Sequence, residues 1–207
     1  MRPAGYRPGD PLMSLFMDIG TGAGLAGATG VRPFLPPLLA GALARGDVGI
    51  DFDGTDWSFL ESPGFLGAVA ALGLVAYWLD RSREGGEPRS AVDLALLGLA
   101  AVLGAFMFAG ALADGGHGSI LGLVAGPVCA LLAGLAVGGL VQRARRRLDP
   151  AAAGLLTVYA DMAALLLAAV AVFVPPLSFV ALIGFVALLF GSRRREGEKY
   201  AGLRVLR

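Results

Sequence analysis

Two ionisable residues lie deep inside apolar stretches of the sequence, where a charge needs a specific partner. Arg32 lies 17 residues after the start of the apolar run Leu15–Ala44, and Asp161 is ten residues into the run Ala152–Val174. A central arginine costs at least about 2.5–3.5 kcal/mol on membrane-insertion scales, so something must compensate its charge. Asp161 is the best partner, and the pair predicts either a buried ion pair that fixes helix packing or a site for a substrate, ion or proton. The alternative that the two residues do not meet stays open.

Two further acids lie closer to the ends of apolar runs. Asp18 is four residues into the first run, and Asp93 is three residues into the run Ala91–Ala113. A carboxylate so near the end of a run is favoured to lie at a membrane interface, where water solvates it. We therefore keep Asp18 and Asp93 as secondary candidates for a ligand or ion pathway.

The residues that usually carry enzymatic chemistry are sparse. His117 and Cys129 are the only histidine and cysteine, which leaves no metal-ligand set and no convincing nucleophile with its base. A G-x-G-x-x-G pattern at Gly22, Gly24 and Gly27 would bind a nucleotide only between a strand and a helix of a parallel sheet, and the surrounding sequence is apolar and proline-broken. We predict a non-enzyme with no cofactor and no metal centre.

The composition predicts a membrane protein. The chain has 207 residues, of which 56% are hydrophobic and 16% charged, and its mean hydropathy is +0.71. Typical soluble domains are about 45–50% apolar and about 25% charged. The 32 glycines suit closely packed membrane helices. We expect an all-α integral membrane protein whose partner is the lipid bilayer, and the net charge of +1 gives no indication of nucleic-acid binding.

Six apolar runs have roughly the length that a transmembrane helix needs. The first run is 30 residues long, about 45 Å as one helix against a hydrocarbon core of about 30 Å. Prolines at 33, 36 and 37 therefore predict a kinked or discontinuous first element. Two groups of three spans could form a 3+3 inverted repeat. The runs are Leu15–Ala44, Gly64–Leu79, Ala91–Ala113, Ser119–Val141, Ala152–Val174 and Leu177–Gly191.

The basic residues indicate an orientation for six spans. With both termini cytoplasmic, fifteen of the seventeen Lys and Arg residues fall on the cytoplasmic side, and the outer loop 46–62 is acidic and preceded by Arg45. The predicted organisation is a cytoplasmic tail 1–14, a transmembrane domain 15–191 and a basic cytoplasmic tail 192–207. This places the protein in a cell inner (plasma) membrane, where it could form a homo-oligomer.

Three segments resemble a bacterial membrane family catalogued as domain of unknown function 4126. They are GLAGATGVRPFLPPLLAG near the start, ESPGFLGAVAALGLVAYWLDR in the second run, and RRRLDPAAAGLLTVYADMAALLLAAVAVFVPPL toward the end. The sequence departs from the family pattern at Ala76 and Ala160, where we expect acids. The resemblance implies a multi-pass membrane protein without an established activity, and it gives weight to Arg32, Asp80 and Asp161.

Two functions of different classes fit these observations. The leading hypothesis is a small transporter or channel-like protein for an ion or small polar solute, in which Arg32 contacts an anion or acts as counter-ion and Asp161 is its partner or a protonatable gate. The second is a non-catalytic structural or assembly subunit of a membrane complex, in which the same pair only sets packing. A membrane-embedded enzyme acting on lipid is the weakest alternative.

Overall fold

A computed structural model describes residues 11–81, 91–145, 147–148 and 150–201, and these residues are almost entirely helical. Within these described residues, seven α-helices follow one another, and a short 3₁₀ turn, Ser58–Glu61, precedes the third. The helices are α1 Pro11–Val31, α2 Leu35–Ala44, α3 Pro63–Arg81, α4 Ala91–Asp114, α5 Ile120–Arg145, α6 Pro150–Phe173 and α7 Pro176–Ala201.

Five of the six predicted spans correspond to single helices, α3 to α7, but the expectation of six membrane-spanning helices is not met. Within the described part of the chain, three helices are long and apolar enough to cross a membrane: Ala91–Asp114, Ile120–Ala144 and Gly154–Phe173. Three other apolar segments, Leu35–Ala44, Pro63–Trp78 and Pro176–Gly191, are shorter, below the roughly 20 residues that span a bilayer without thinning it. The apolar helices support a membrane protein without fixing the number of crossings.

The predicted discontinuity of the first run is confirmed. The N–H of Arg32 donates to the carbonyl of Ala28 at 3.0 Å, and the helical ladder then stops because Pro33 has no N–H to donate. Helix α2 starts at Leu35 with proline in its first positions, where a missing donor costs nothing. Three residues therefore separate two helices within one apolar run.

The first helix begins where α4 and α6 end. The carboxylate of Asp18 lies against Gly115, the residue after α4, and Gly20 packs against Pro175, which lies between α6 and α7. At its other end α1 reaches the middle of the bundle, where Gly30 packs against the backbone of Ala130. Since Ala130 is ten residues into α5, this contact is about 15 Å along that helix by helical rise.

The second helix returns to the end of the bundle from which α1 starts. Gly41 of α2 packs against Leu60, and Leu60 in turn packs against Gly110 near the end of α4. Just beyond α2, Gly49 packs against Val172 in the last turn of α6. Helices α1 and α2 thus form a hairpin, called here the α1–α2 hairpin, whose two ends lie at the same end of the bundle.

The two ends of the bundle carry different charges. The end that holds loop 46–62, residues 115–119 and residues 174–175 is called the acidic end, because its loop contributes Asp47, Asp51, Asp53, Asp56 and Glu61. The opposite end holds the start of α4 and the junction between α5 and α6, with its run of arginines, and is called the basic end. Helices α4 to α7 each run continuously between these ends. The second half of the suggested 3+3 repeat therefore contains no broken helix that would match the first.

Helix α1 lies at the centre of the bundle and contacts α4, α5, α6 and α7. Its glycines permit this close approach: Gly22 packs against Phe108, and Gly24 packs against Ala171 and Ser178. Many large apolar side chains point away from the core, as expected for helices that meet lipid. Those more than 60% exposed include Leu74, Leu94, Val124, Leu166 and Ile183.

Candidate functional site

Arg32 and Asp161 lie together at the turn of the α1–α2 hairpin. The Nε atom of Arg32 is 2.5 Å from Oδ1 of Asp161, and Nη2 donates a hydrogen bond to the carbonyl of Thr157 at 3.1 Å. Thr157 and Asp161 are four residues apart and therefore share one face of α6. A single guanidinium is thus held by a carboxylate and by a backbone carbonyl one turn away.

The turn that carries Arg32 is fixed from three sides. Before it, Gly30 packs against Ala130 of α5, and after it, Phe34 packs against Gly73 of α3. Arg32 itself reaches α6. Asp161 is twelve residues before the end of α6, so the ion pair lies about 18 Å from the acidic end by helical rise.

The ion pair is only partly enclosed by protein. The side chains of Arg32 and Asp161 are 26% and 34% exposed, respectively. The two contacts above use Nε and Nη2, and a guanidinium has five N–H donors in all. Donors therefore remain on Arg32 for water or for an anionic group.

Asp18 is held by a residue for which the sequence predicted no role. Its Oδ2 lies 3.1 Å from Nδ1 of His117, with the two side chains 22% and 26% exposed. This contact joins the first part of α1 to the loop between α4 and α5. Because Asp18 is fourteen residues before Arg32, it lies about 21 Å along the helix from the ion pair. The structure therefore separates Asp18 from the Arg32 site.

The other two candidates occupy helix ends. Asp93 is in the first turn of α4, where a carboxylate interacts favourably with the helix dipole, and it is half-buried. Asp80 is the penultimate residue of α3, and its side chain lies outside the described residues.

A second polar cluster was missed by the sequence reasoning. The carboxylates of Asp51, Asp53 and Glu61 converge in the loop at the acidic end. Asp53 and Glu61 also line an open cleft of about 460 Å³ together with Arg45, Asp47 and two serines. The spacing D-x-D followed by a glutamate eight residues later was the available signal, but it was interpreted only as an acidic outer loop.

An all-helical bundle with outward-facing apolar helices and an ion pair at mid-depth has the features of a helical membrane protein. The chain belongs to the family described as domain of unknown function (DUF4126), whose sequence model matches residues 19–195. This match includes α2 and α1 from residue 19 onward, with Arg32 and Asp161, and it confirms the resemblance noted in the sequence. No curated protein and no solved structure matches the chain.

Proposed function

We propose that this protein is a small transporter or channel-like membrane protein for an anion or small polar solute, with Arg32 as the contact for the solute. The single observation that carries the proposal is the Arg32–Asp161 pair, placed at mid-depth on a broken helix and only partly covered by protein. Asp161 holds the guanidinium in place and balances its charge when no solute is bound.

Broken helices have a specific use in membrane proteins. Non-helical backbone at membrane depth is tolerated only where it is buried in protein or lines a water-filled cavity. Several transporter folds bind substrate near the bilayer midplane at such helix breaks. The residues between α1 and α2 are a break of this kind, and an arginine at that point supplies a positive charge for an anionic group.

The geometry also favours a specific membrane topology for this function. In this topology the α1–α2 hairpin enters from the acidic end and returns to it, while α3 to α7 cross. The basic end faces the cytoplasm, because it carries the arginines that flank α3, α5 and α6. In this proposed topology the start of α1 lies on the outer side, which differs from the expectation from the sequence that both termini are cytoplasmic.

A structural or assembly subunit is the second candidate. It is favoured by the packing of α1, whose glycines lie against neighbouring helices on several sides. In this role the Arg32–Asp161 pair would tie the α1–α2 hairpin to α6 and would contact no solute. The two candidates differ in whether the pair is reached by water and solute.

Flux measurements on the purified protein in liposomes test the transport function. Chloride, nitrate and phosphate serve as anion probes, and urea and glycerol as neutral ones. We expect wild-type flux of at least one probe above that of protein-free liposomes, and a loss of about tenfold or more in Arg32→Gln, since the solute contact is removed. Asp56→Asn, in the exposed loop, is the matched control and should retain wild-type flux.

Two results would count against this function. Wild-type liposomes that pass none of the probes faster than empty ones would contradict permeation of small anions and polar solutes. Equal flux in wild type and Arg32→Gln would show that the solute does not use Arg32. Incorporation of each variant is checked by protein content and by thermal unfolding in detergent, so that a folding defect is distinguished from a lost contact.

A further inference from the structure

Three acidic side chains meet in the loop between α2 and α3. One carboxylate oxygen from each of Asp51, Asp53 and Glu61 lies within 4.8 Å of the others. The Asp53 N–H also donates to Oδ1 of Asp51 at 2.8 Å, which orders the first part of the loop. The exposure of the three side chains is graded: Asp53 is exposed, Asp51 is intermediate and the Glu61 side chain is buried.

The loop is anchored by apolar residues that adjoin these acids in sequence. Phe52, between Asp51 and Asp53, and Leu60, next to Glu61, are both fully buried. Both pack against Gly110 near the end of α4. The carboxylates are therefore held together by the core beneath them, although their mutual repulsion opposes that arrangement.

Among the residues that the structure describes, no basic side chain forms an ion pair with these three acids. Oε2 of Glu61 is inaccessible to solvent and has no hydrogen-bond partner in the part of the chain that the structure describes. Arg45 lines the same cleft, but it forms no ion pair with the three acids within the described residues. The Glu61 carboxyl is thus removed from water, and its oxygen lies within 4.8 Å of an oxygen of each of the other two acids. A buried carboxylate among like charges needs either a proton or a cation.

We infer that Asp51, Asp53 and Glu61 form a binding site for one hard divalent cation, with Ca²⁺ as the best match. Calcium is bound by carboxylate and carbonyl oxygens at about 2.3–2.6 Å in adaptable loops. Two ligands on opposite sides of one ion are then about 4.6–5.2 Å apart, which accommodates the observed separations. This site revises the expectation of no metal, and it is independent of the Arg32–Asp161 function.

Terbium luminescence on the full-length protein in detergent tests the site directly. Tb³⁺ occupies calcium sites and emits when a nearby tryptophan transfers its excitation, and Trp57 belongs to the same loop. We expect sensitised emission in wild type that added Ca²⁺ displaces. Glu61→Gln and Asp53→Asn should weaken Ca²⁺ competition by about tenfold or more, because each removes a charged ligand. Asp56→Asn, an exposed acid of the same loop, should behave as wild type.

Thermal unfolding with and without Ca²⁺ keeps the test independent of folding defects. Wild type should unfold at a higher temperature in Ca²⁺ than in chelator, by mass action on the folded state. The unfolding temperature of Glu61→Gln in chelator should be no lower than that of wild type, since the substitution relieves repulsion among the acids. Added Ca²⁺ should not raise the unfolding temperature of this variant. Equal terbium binding in Glu61→Gln, Asp53→Asn and wild type, or no effect of Ca²⁺ on wild-type unfolding, would overturn the site.

Discussion

Arg32 and Asp161 are 129 residues apart in the sequence, yet Nε of the arginine is 2.5 Å from Oδ1 of the aspartate. The contact joins the turn of the α1–α2 hairpin to the middle of α6. A charged pair at this depth costs desolvation energy, which its mutual attraction offsets only with good geometry. Its partial exposure leaves the pair open to water, which the proposed contact with solute requires.

A double-variant comparison separates a role in contacting solute from a role in tight packing. A fully buried pair loses about 3–5 kcal/mol when one member is removed, because the survivor is left uncompensated. Both side chains here are more than a quarter exposed, so water can solvate the charge that remains. We therefore expect Arg32→Ala and Asp161→Ala to lower the free energy of unfolding by clearly less than this. Thermal unfolding in detergent and membrane yield measure this. If both single variants are strongly destabilised and the double variant regains stability, the packing role is favoured instead.

The close approach of α1 and α5 gives a second prediction. A Cβ atom on Gly30 would overlap the carbonyl oxygen of Ala130, whereas one on Gly138 would meet nothing within 4 Å. Gly30→Ala should therefore lower the unfolding temperature and the yield, because the clash is with backbone that cannot move aside. Gly138→Ala is the matched control, and it should be neutral or gain up to about 1 kcal/mol from helix propensity. Similar behaviour of the two variants would show that α1 does not pack on α5 as described.

Glu61 makes stability depend on pH when no cation is bound. Burial of its carboxyl and the neighbouring Asp53 raise the pKa of Glu61 from 4.5 to about 7 in the folded protein, so the folded state binds more protons than the unfolded state between these values. Stability in chelator should therefore be highest at the acidic side of this interval and should fall as the pH rises toward 7. Unfolding temperatures of wild type and Glu61→Gln across this range measure the effect. A wild-type pH profile identical to that of Glu61→Gln would contradict the raised pKa.

The sequence predicted much of the helical architecture, because long apolar runs bounded by charged and turn residues leave few alternatives. It also predicted the break at Pro33 and the partnership of Arg32 with Asp161, since proline removes a donor and a deep charge needs a counter-charge. It did not predict that α2 turns back, because hydropathy shows how apolar a segment is and carries no information on the direction in which its helix runs. Only contacts such as Gly49 with Val172 distinguish a hairpin from a kinked crossing.

The pairing of Asp18 with His117 and the convergence of Asp51, Asp53 and Glu61 could not be predicted for a related reason. Each depends on how a loop folds over the core, and neither a lone histidine nor a set of loop acids carries that information in its local sequence. Charge counting across six assumed crossings also could not distinguish a first run that crosses the membrane from the proposed hairpin. Arg2 and Arg7 are only two of the seventeen basic residues, so moving them to the other side changes the asymmetry little.

Cysteine labelling in intact cells tests the α1–α2 hairpin most directly. With Cys129 replaced by alanine, single cysteines are placed at Met13 in α1, at Asp51 in the loop after α2, and at Arg147 between α5 and α6. We predict that an impermeant maleimide labels Met13→Cys and Asp51→Cys in intact cells, and labels Arg147→Cys only after the cells are permeabilised. Labelling of Met13→Cys together with Arg147→Cys, on the side opposite to Asp51→Cys, would show that the first apolar run crosses the membrane and would contradict the hairpin that carries Arg32 to Asp161.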